Sequence, residues 1–137
     1  MVTVKSPGVD FVEIFSPVCN DVTFRLVILV MIVWGLDALI FDVTPAFLTG
    51  NLEEEIYMEC PEGMPHEEDE VLLLLKTIYG LVQASRQYNK KFTGVMMELR
   101  FEQCRSDPCL YYRKTSQGIV IVLTCKCNSS ITNLLRY

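Results

Sequence analysis

Histidine is nearly absent from this sequence of 137 residues, in which His66 is the only example. The six cysteines contain no Cys-x-x-Cys pair, so a structural zinc site would need ligands from scattered positions without any recognisable spacing. A cysteine-rich secreted or structural protein is another possibility for six cysteines. However, the first ten residues, MVTVKSPGVD, contain neither an apolar signal region nor a cleavage pattern. We therefore expect an intracellular protein whose cysteines are reduced.

Hydrophobic runs of membrane-spanning length are also missing. The most apolar segment, LVILVMIVWGL at 26–36, has about half the length that a membrane span needs. Arg25 and Asp37 bracket this segment. We therefore predict that the chain has no membrane association, and we interpret the segment as a buried core helix that leads into a core strand.

Basic residues are scarce in the first half of the chain. Residues 1–70 contain 2 basic and 14 acidic residues, whereas residues 71–137 contain 10 basic and 3 acidic residues. This asymmetry allows a fold to present a basic face to a polyanion, although the net charge of the whole chain is −5. A solvated acidic loop beside an ordinary helix surface explains the same charges. Charge alone therefore leaves nucleic-acid binding open.

Short strand and helix patterns follow one another without an internal repeat or a linker. Apolar runs and alternating apolar and polar positions predict strands at 37–43, 55–59, 71–75, 110–113 and 119–123. The last two are expected to be antiparallel and joined by a turn at 116–118. The order of elements indicates an α+β fold.

Three segments carry helix signals. A first helix is expected at about 23–34, ending near Gly35, and Thr44–Pro45 provides a threonine cap and a first-turn proline for a short helix through Leu48. Ser85 can cap a third helix. Its apolar stripe consists of Tyr88, Phe92, Val95, Met96 and Leu99. Its other faces carry Arg86, Gln87, Lys90, Lys91 and Glu98.

The most specific motif is DVTPAFLTGNLEEEIYMECPEGM at 42–64, in which Asp42 closes an apolar run. Further segments in the same order are GVDFVEIFSPV at 8–18, TFR at 23–25, TIYGLVQASRQYNKKF at 77–92, SDPCLY at 106–111 and GIVIVL at 118–123. Over roughly 8–123 the chain resembles the reverse transcriptase domain of copia-type LTR retrotransposon Pol polyproteins. This resemblance implies the fingers and palm of a right-hand polymerase, with an antiparallel palm sheet packed on helices. It also implies RNA-directed DNA synthesis, with template-primer nucleic acid and dNTP as partners and Mg²⁺ as cofactor.

The resemblance assigns a role to five residues. Asp42 resembles the first metal-binding aspartate, and the backbone carbonyl of Val43 resembles a secondary ligand. Phe47 resembles the aromatic gate that packs under the nucleotide sugar and rejects a 2′-hydroxyl, although core packing is the simpler explanation. Gln83 resembles a glutamine near the sugar and phosphates. Arg25 corresponds to a triphosphate-binding arginine, or otherwise to the solvated end of a helix.

The second half of the metal site departs from the family. After GIVIVL the family has a tyrosine, a variable residue and two aspartates, whereas this chain continues as TCKCN at 124–128. Cys125 replaces the tyrosine, and Cys127 and Asn128 stand where the aspartates are expected. A thiol is a soft ligand that is poorly suited to magnesium, and asparagine lacks the charge of aspartate. We therefore expect a site that is not occupied by metal and a chain without polymerase activity, and Asp107 lies too early to replace the lost carboxylates.

Residues 1–137 are expected to form a single partial reverse-transcriptase-like domain of fingers and palm. Because the chain ends at Tyr137, the thumb, connection and RNase H regions of the family are expected to be missing. The leading hypothesis is a degenerate retrotransposon reverse transcriptase. The alternative is a non-catalytic module that binds nucleic acid or protein through a basic face at 86–114, including Arg86, Lys90 and Lys91.

Overall fold

The structure is a computed structural model and describes residues 15–67, 70–116, 118–127 and 130–132. The chain divides into two compact units. The first unit includes Pro45–Lys91, and the second includes Pro17–Thr44 and the chain from Phe92 onward. No helix in the described part of the chain has the length and hydrophobicity needed to cross a membrane.

The first unit is built on a two-stranded antiparallel sheet. Strand β1 (Asn51–Glu59) pairs with β2 (Val71–Lys76), and the register shifts between Asn51 and Ile56. Both strands contain the predicted segments 55–59 and 71–75, so these predictions are confirmed. The buried core of this unit consists of Ile56, Leu81 and Ala84, with Phe47, Leu52, Leu74 and Ile78 packed against it.

A short 3-10 helix at Phe47–Thr49 precedes β1, close to the helix predicted through Leu48. Its predicted cap is wrong. The residue before it is Ala46, which makes no side-chain cap hydrogen bond, and the Thr44 hydroxyl instead donates to the Asp42 carboxylate at 2.8 Å. The hydroxyl of a threonine before a turn has several nearby acceptors, and here it bonds backwards along the chain.

Gly50 marks a close approach inside the first unit. The backbone N–H of Thr77 donates to the Gly50 carbonyl at 3.0 Å, and the Thr77 hydroxyl donates to the carbonyl of Phe47. A Cβ at Gly50 would lie 2.8 Å from Thr77 Oγ1 and 3.0 Å from Gln87 Cβ. Gln87, which lies outside the predicted apolar stripe, is nevertheless only 4% exposed. The missing side chain at Gly50 provides the space that Gln87 occupies.

Gly50→Ala is therefore expected to lower the free energy of unfolding by about 1–3 kcal/mol through overpacking. The φ of −71° at Gly50 suits alanine, so steric contact is the only cost. Gly94 is the matched control, because it lies exposed within helix α2 (Ala84–Glu98) with no atom within 4 Å of an added Cβ. Gly94→Ala should stabilise the chain by about 0.5–1 kcal/mol. Urea unfolding of both variants tests this, and a Gly50→Ala variant as stable as the wild type would contradict the packing.

The second unit contains a three-stranded antiparallel sheet in the order β3-β4-β5. Its strands are β3 (Glu102–Gln103), β4 (Leu110–Thr115) and β5 (Gly118–Leu123). Leu110 pairs with Leu123 and Thr115 with Gly118, so the predicted antiparallel hairpin is confirmed. Gln117, within the predicted turn, lies outside the described residues.

Side chains of alternating direction give this sheet two apolar faces. On one face Tyr111 and Val122 form a buried cluster with Phe101 and with Met96 of α2. On the other face Leu123 clusters with Val27. The predicted apolar stripe of α2 holds for Tyr88 and Met96, which are buried, and for Phe92, which is half-buried. Its remaining members, Val95 and Leu99, are exposed. The fold is thus a mixture of helices and antiparallel sheets, as the α+β prediction requires.

Helix α1 (Asp21–Trp34) confirms the predicted helix but not its predicted burial. Asn20 caps its first turn by accepting the N–H of Val22 at 2.9 Å, and Gly35 ends it with a left-handed φ of 61°. Val27 is its only buried residue. A cavity of about 340 Å³ separates part of α1 from the sheet. Apolar side chains that remain exposed include Val22, Phe24, Leu26, Leu29, Ile32, Val33 and Trp34.

The buried strand predicted at 37–43 is wrong. Within the described chain this segment has only an isolated bridge at Phe41, and Leu39, Ile40 and Phe41 are 60%, 72% and 46% exposed. A strand needs a hydrogen-bonding neighbour along its length. Apolar composition indicated burial, but among the described residues no strand pairs along the segment.

Candidate active site

Asp42 lies in the irregular segment after α1, not on a strand. Its side chain is exposed, and one carboxylate oxygen accepts the hydroxyl of Thr44 at 2.8 Å. Val43, whose carbonyl was predicted as a secondary ligand, is half-buried. Asp42 is therefore reachable from solvent.

The chain beyond β5 forms a small hairpin. Strand β6 (Cys125–Cys127) pairs antiparallel with β7 (Ser130–Thr132), and Cys127 is opposite Ser130. Asn128, the second of the two residues expected to replace catalytic aspartates, lies outside the described residues. Two short antiparallel strands therefore lie on either side of the place where the resemblance puts the second half of the metal site.

Phe47 is held by two aromatic side chains in the first unit. Its ring makes edge-to-face contacts with Tyr79, at 5.1 Å between centroids, and with Tyr88, at 6.4 Å. Phe47 is half-buried and packs against the core around Ile56. Edge-to-face pairs stabilise by about 0.5–1.5 kcal/mol beyond burial, so the ring orientation is well defined. Core packing and a fixed aromatic gate are both compatible with this arrangement.

Gln83 directly precedes α2 and is completely buried. Its backbone carbonyl accepts the N–H of Gln87 at 3.0 Å. Among the described residues, however, neither Nε2 nor Oε1 of its amide has a hydrogen-bond partner. An unpaired buried polar group costs about 1–3 kcal/mol, so this amide is a position where a polar partner would be stabilising.

The structure does not gather all of the predicted residues into one unit. Phe47 and Gln83 belong to the first unit, whereas Arg25 and Asp42 belong to the second. Arg25 is exposed on α1.

Two of the cations in the predicted basic face are paired with an acidic residue. Glu53 of β1 contacts Lys90 and lies 3.6 Å from the Arg86 guanidinium. Hydrogen bonds from Lys90 and Gln87 hold the pKa of Glu53 below its ordinary value. Sequence reasoning missed this contact because Glu53 and the helix are far apart in the chain. The pairing reduces the charge that Arg86 and Lys90 can offer to a phosphate.

Asp107 is a buried structural anchor. It is 4% exposed, and its carboxylate accepts the backbone N–H groups of Asn20 at 3.0 Å and of Cys109 at 2.9 Å. Burial alone raises the pKa of Asp107. Hydrogen bonds from Thr23, Asn20 and Cys109 outweigh this effect and hold the pKa below its ordinary value of 3.8. Asp107 therefore ties the start of α1 to the turn before β4.

Magnesium does not fit the donors that this site offers. Polymerase chemistry needs carboxylates that bring two hard cations together. In the assignment that the resemblance implies, Asp42 supplies one carboxylate, while Cys127 and Asn128 supply a thiol and a neutral amide. In the part of the chain that the structure describes, no three Asp, Glu, His or Cys side chains form a group able to hold a metal ion.

Comparisons with known proteins identify the family. Residues 3–126 match the family model described as reverse transcriptase (RNA-dependent DNA polymerase). Cys127 and Asn128 lie directly beyond this match, so their correspondence to the catalytic aspartates stays a prediction. No solved structure matches the chain.

Curated relatives agree with the family model. The chain is 42% identical over 121 residues to a retrovirus-related Pol polyprotein from transposon TNT 1-94 of Nicotiana tabacum. It is 34% and 32% identical to the Pol polyproteins from transposons RE2 and RE1 of Arabidopsis thaliana. Each alignment covers 87% of this chain but only 8% or 9% of the relative. This chain therefore belongs to the reverse transcriptase family found in the Pol polyproteins of copia-type transposons.

Proposed function

We propose that this chain is the fingers and palm part of a copia-type reverse transcriptase domain that no longer catalyses RNA-directed DNA synthesis. The observation that carries the proposal is the donor set after β5. Cys127 and Asn128 replace the two carboxylates that the family resemblance requires there. Asp42 is then the only carboxylate left of three.

The physical argument concerns charge and ligand type. Two magnesium ions close together repel each other, and several carboxylates are needed to balance their charge. A thiol is a poor ligand for a hard cation, and the neutral amide of asparagine contributes no charge. Lys126, between Cys125 and Cys127 in the sequence, adds a positive charge that further disfavours a divalent cation. The reaction therefore loses the groups that would activate the primer hydroxyl and hold the triphosphate.

Part of the nucleotide pocket is retained in this proposal. The fixed ring of Phe47 supports a role as the gate beneath the nucleotide sugar. Gln83 is completely buried and its amide has no partner among the described residues, so its proposed contact with the sugar or phosphates requires neighbouring side chains to move aside. The partners that the family resemblance implies for such a pocket are a template-primer and a dNTP. Arg25 belongs to the other unit and is exposed, so its proposed contact with a triphosphate is argued separately from Phe47 and Gln83.

Primer extension on an RNA template tests the loss of activity. The wild-type chain and Asp42→Ala should both show only background incorporation with Mg²⁺ or Mn²⁺, because the metal site is incomplete in both. Incorporation by the wild type above the Asp42→Ala control would overturn the proposal.

Metal binding tests the assignment of Cys127 and Asn128 directly. The double variant Cys127→Asp/Asn128→Asp should bind Mn²⁺ roughly tenfold or more tightly than the wild type, since it restores two hard, charged ligands. Adding Asp42→Ala should remove most of that gain. Isothermal titration with Mn²⁺ measures both effects, and equal affinities of the wild type and the double variant would contradict the assignment.

A further inference from the structure

Three thiols meet in the second unit, where the segment before α1 reaches the end of the sheet. Cys109 is 2% exposed and clusters with Val27 and Leu123. Cys19 and Cys125 are half-buried and pack against this same cluster. The Cys125 thiol is also close enough to the Cys19 thiol to raise its pKa. Because these cysteines lie near opposite ends of the sequence, only the fold brings them together.

Cys60 and Cys104 have different surroundings from these three thiols. The Cys60 thiol belongs to the first unit and lies 3.6 Å from the carbonyl of Glu70. Cys104 lines the apolar cavity beneath α1. Cys109 adjoins the contacting pair but is too buried to meet an oxidant directly. Cys19 and Cys125 thus combine mutual contact with partial exposure.

We propose that Cys19 and Cys125 are a redox-modification site and form an intramolecular disulfide when the chain meets a low-molecular-weight disulfide such as oxidised glutathione. One cysteine thiolate attacks the oxidant, forms a mixed disulfide and releases one glutathione thiol. The second cysteine thiolate then attacks the bound cysteine sulfur and releases the other glutathione thiol. The two protons lost by the cysteines are taken up by the two glutathione thiolates. The protein is oxidised by two electrons, and the glutathione disulfide is reduced to two thiols.

The surroundings of the pair make this modification slow. Burial, followed by the adjacent Cys125 thiol and the carboxylates of Asp107 and Asp21, raises the pKa of the Cys19 thiol to about 12. Burial also raises the pKa of Cys109 to about 11. Since the thiolate is the reactive form, little of either thiol is reactive near neutral pH. Attack on an oxidant by Cys19 or by Cys109 is therefore slow near neutral pH.

The disulfide would stabilise the second unit. It would join the residue before the helix cap Asn20 to the first residue of β6. A link that closes a long loop restricts the unfolded chain and stabilises the fold. It would also tether the hairpin in which Cys127 lies. This inference does not depend on the proposed loss of polymerase activity.

Equilibration of the whole chain in mixtures of oxidised and reduced glutathione tests the inference. After acid quenching and alkylation, peptide mapping by mass spectrometry should find the Cys19 peptide linked to the Cys125 peptide, with Cys60 and Cys104 alkylated. The linked fraction should not depend on protein concentration. The urea midpoint of the oxidised chain should be higher than that of the reduced chain, and dithiothreitol should reverse the shift.

Variants identify the pair. Cys19→Ser and Cys125→Ser should each abolish the link, whereas Cys60→Ser, the matched control outside the cluster, should retain it. A link from Cys19 to Cys109, a link from Cys125 to Cys127, or only concentration-dependent links between chains would overturn the assignment. Complete alkylation of both Cys19 and Cys125 in the wild type after equilibration in the most oxidising mixture would also overturn it. The mapping on the wild-type chain is decisive even if a serine variant fails to fold.

Discussion

Replacing Tyr111 by alanine should lower the free energy of unfolding by about 3–5 kcal/mol, the range for truncating a large buried aromatic side chain. Tyr111 has no solvent exposure and lies at the centre of the cluster between β4, β5 and α2. Its ring makes an edge-to-face contact with Phe92 at 5.7 Å. Its hydroxyl is within hydrogen-bonding distance of Thr93 Oγ1, at 2.8 Å, and accepts from Gln103 Nε2 at 3.1 Å. The substitution therefore leaves a cavity, and it removes the hydroxyl that Thr93 Oγ1 and Gln103 Nε2 contact.

Two control variants separate these causes. Tyr111→Phe keeps the ring and removes only the hydroxyl, so it should cost about 1 kcal/mol. Tyr57→Ala removes a tyrosine that is 47% exposed on β1, so it should cost much less than Tyr111→Ala. Urea unfolding followed by circular dichroism measures all three variants. A Tyr111→Ala variant no less stable than Tyr57→Ala would show that Tyr111 does not lie at the centre of a packed core.

Asp107→Ala should have the second largest effect and lower the free energy of unfolding by about 2–4 kcal/mol. Hydrogen bonds to a buried charged group are strong, and the substitution would leave their donors unpaired. The donors are the backbone N–H groups of Asn20 and Cys109 and the side chain of Thr23. Asp107→Asn is the matched control, because it keeps the shape and one acceptor oxygen but loses the charge. The stability of Asp107→Asn should lie between those of the wild type and Asp107→Ala. Equal stability of Asp107→Ala and the wild type in urea would contradict the anchoring role.

The same carboxylate makes stability depend on pH. Its pKa in the folded chain is below the ordinary value of 3.8, so the unfolded state binds the proton more readily. The stabilisation is therefore fully present above about pH 5, and it is lost as the pH falls through 3.8 towards the lower folded pKa. In Asp107→Asn this contribution should disappear, and the urea midpoint should fall less steeply below pH 4 than in the wild type. If the urea midpoints of the wild type and Asp107→Asn fell equally steeply with pH, this contribution of Asp107 would be contradicted.

Local sequence patterns predicted most of the regular elements. The apolar run that ends at Gly35 predicted α1, and the helical spacing of the apolar stripe predicted α2. Strands β1, β2, β4 and β5 each contain a predicted segment. Such patterns are local, so they are visible without knowledge of the fold. The wrong predictions concern how an element pairs with or packs against other elements. The segment 37–43 is apolar but has no pairing strand within the described part of the chain, and α1 is apolar but buries only Val27.

For the candidate site, too, the sequence predicted some properties and only the fold revealed others. Collinear motifs identified the family, and the comparisons confirm it. The roles of Asp42, Phe47, Gln83 and Arg25 stay predictions that follow from those motifs. Their surroundings required the fold, because the aromatic contacts of Phe47 and the unpaired amide of Gln83 depend on residues that are distant in sequence or on burial.

The amino-acid sequence alone is sufficient for the ancestry and for the chemical character of the donors at 127 and 128, because ligand hardness and charge belong to the side chain itself. Tertiary structure was needed to show that Glu53 pairs with Arg86 and Lys90, and that Asp107 anchors α1. It was also needed to bring Cys19 and Cys125 into contact. These interactions join residues far apart in the chain, and their strength depends on burial, which no local pattern encodes.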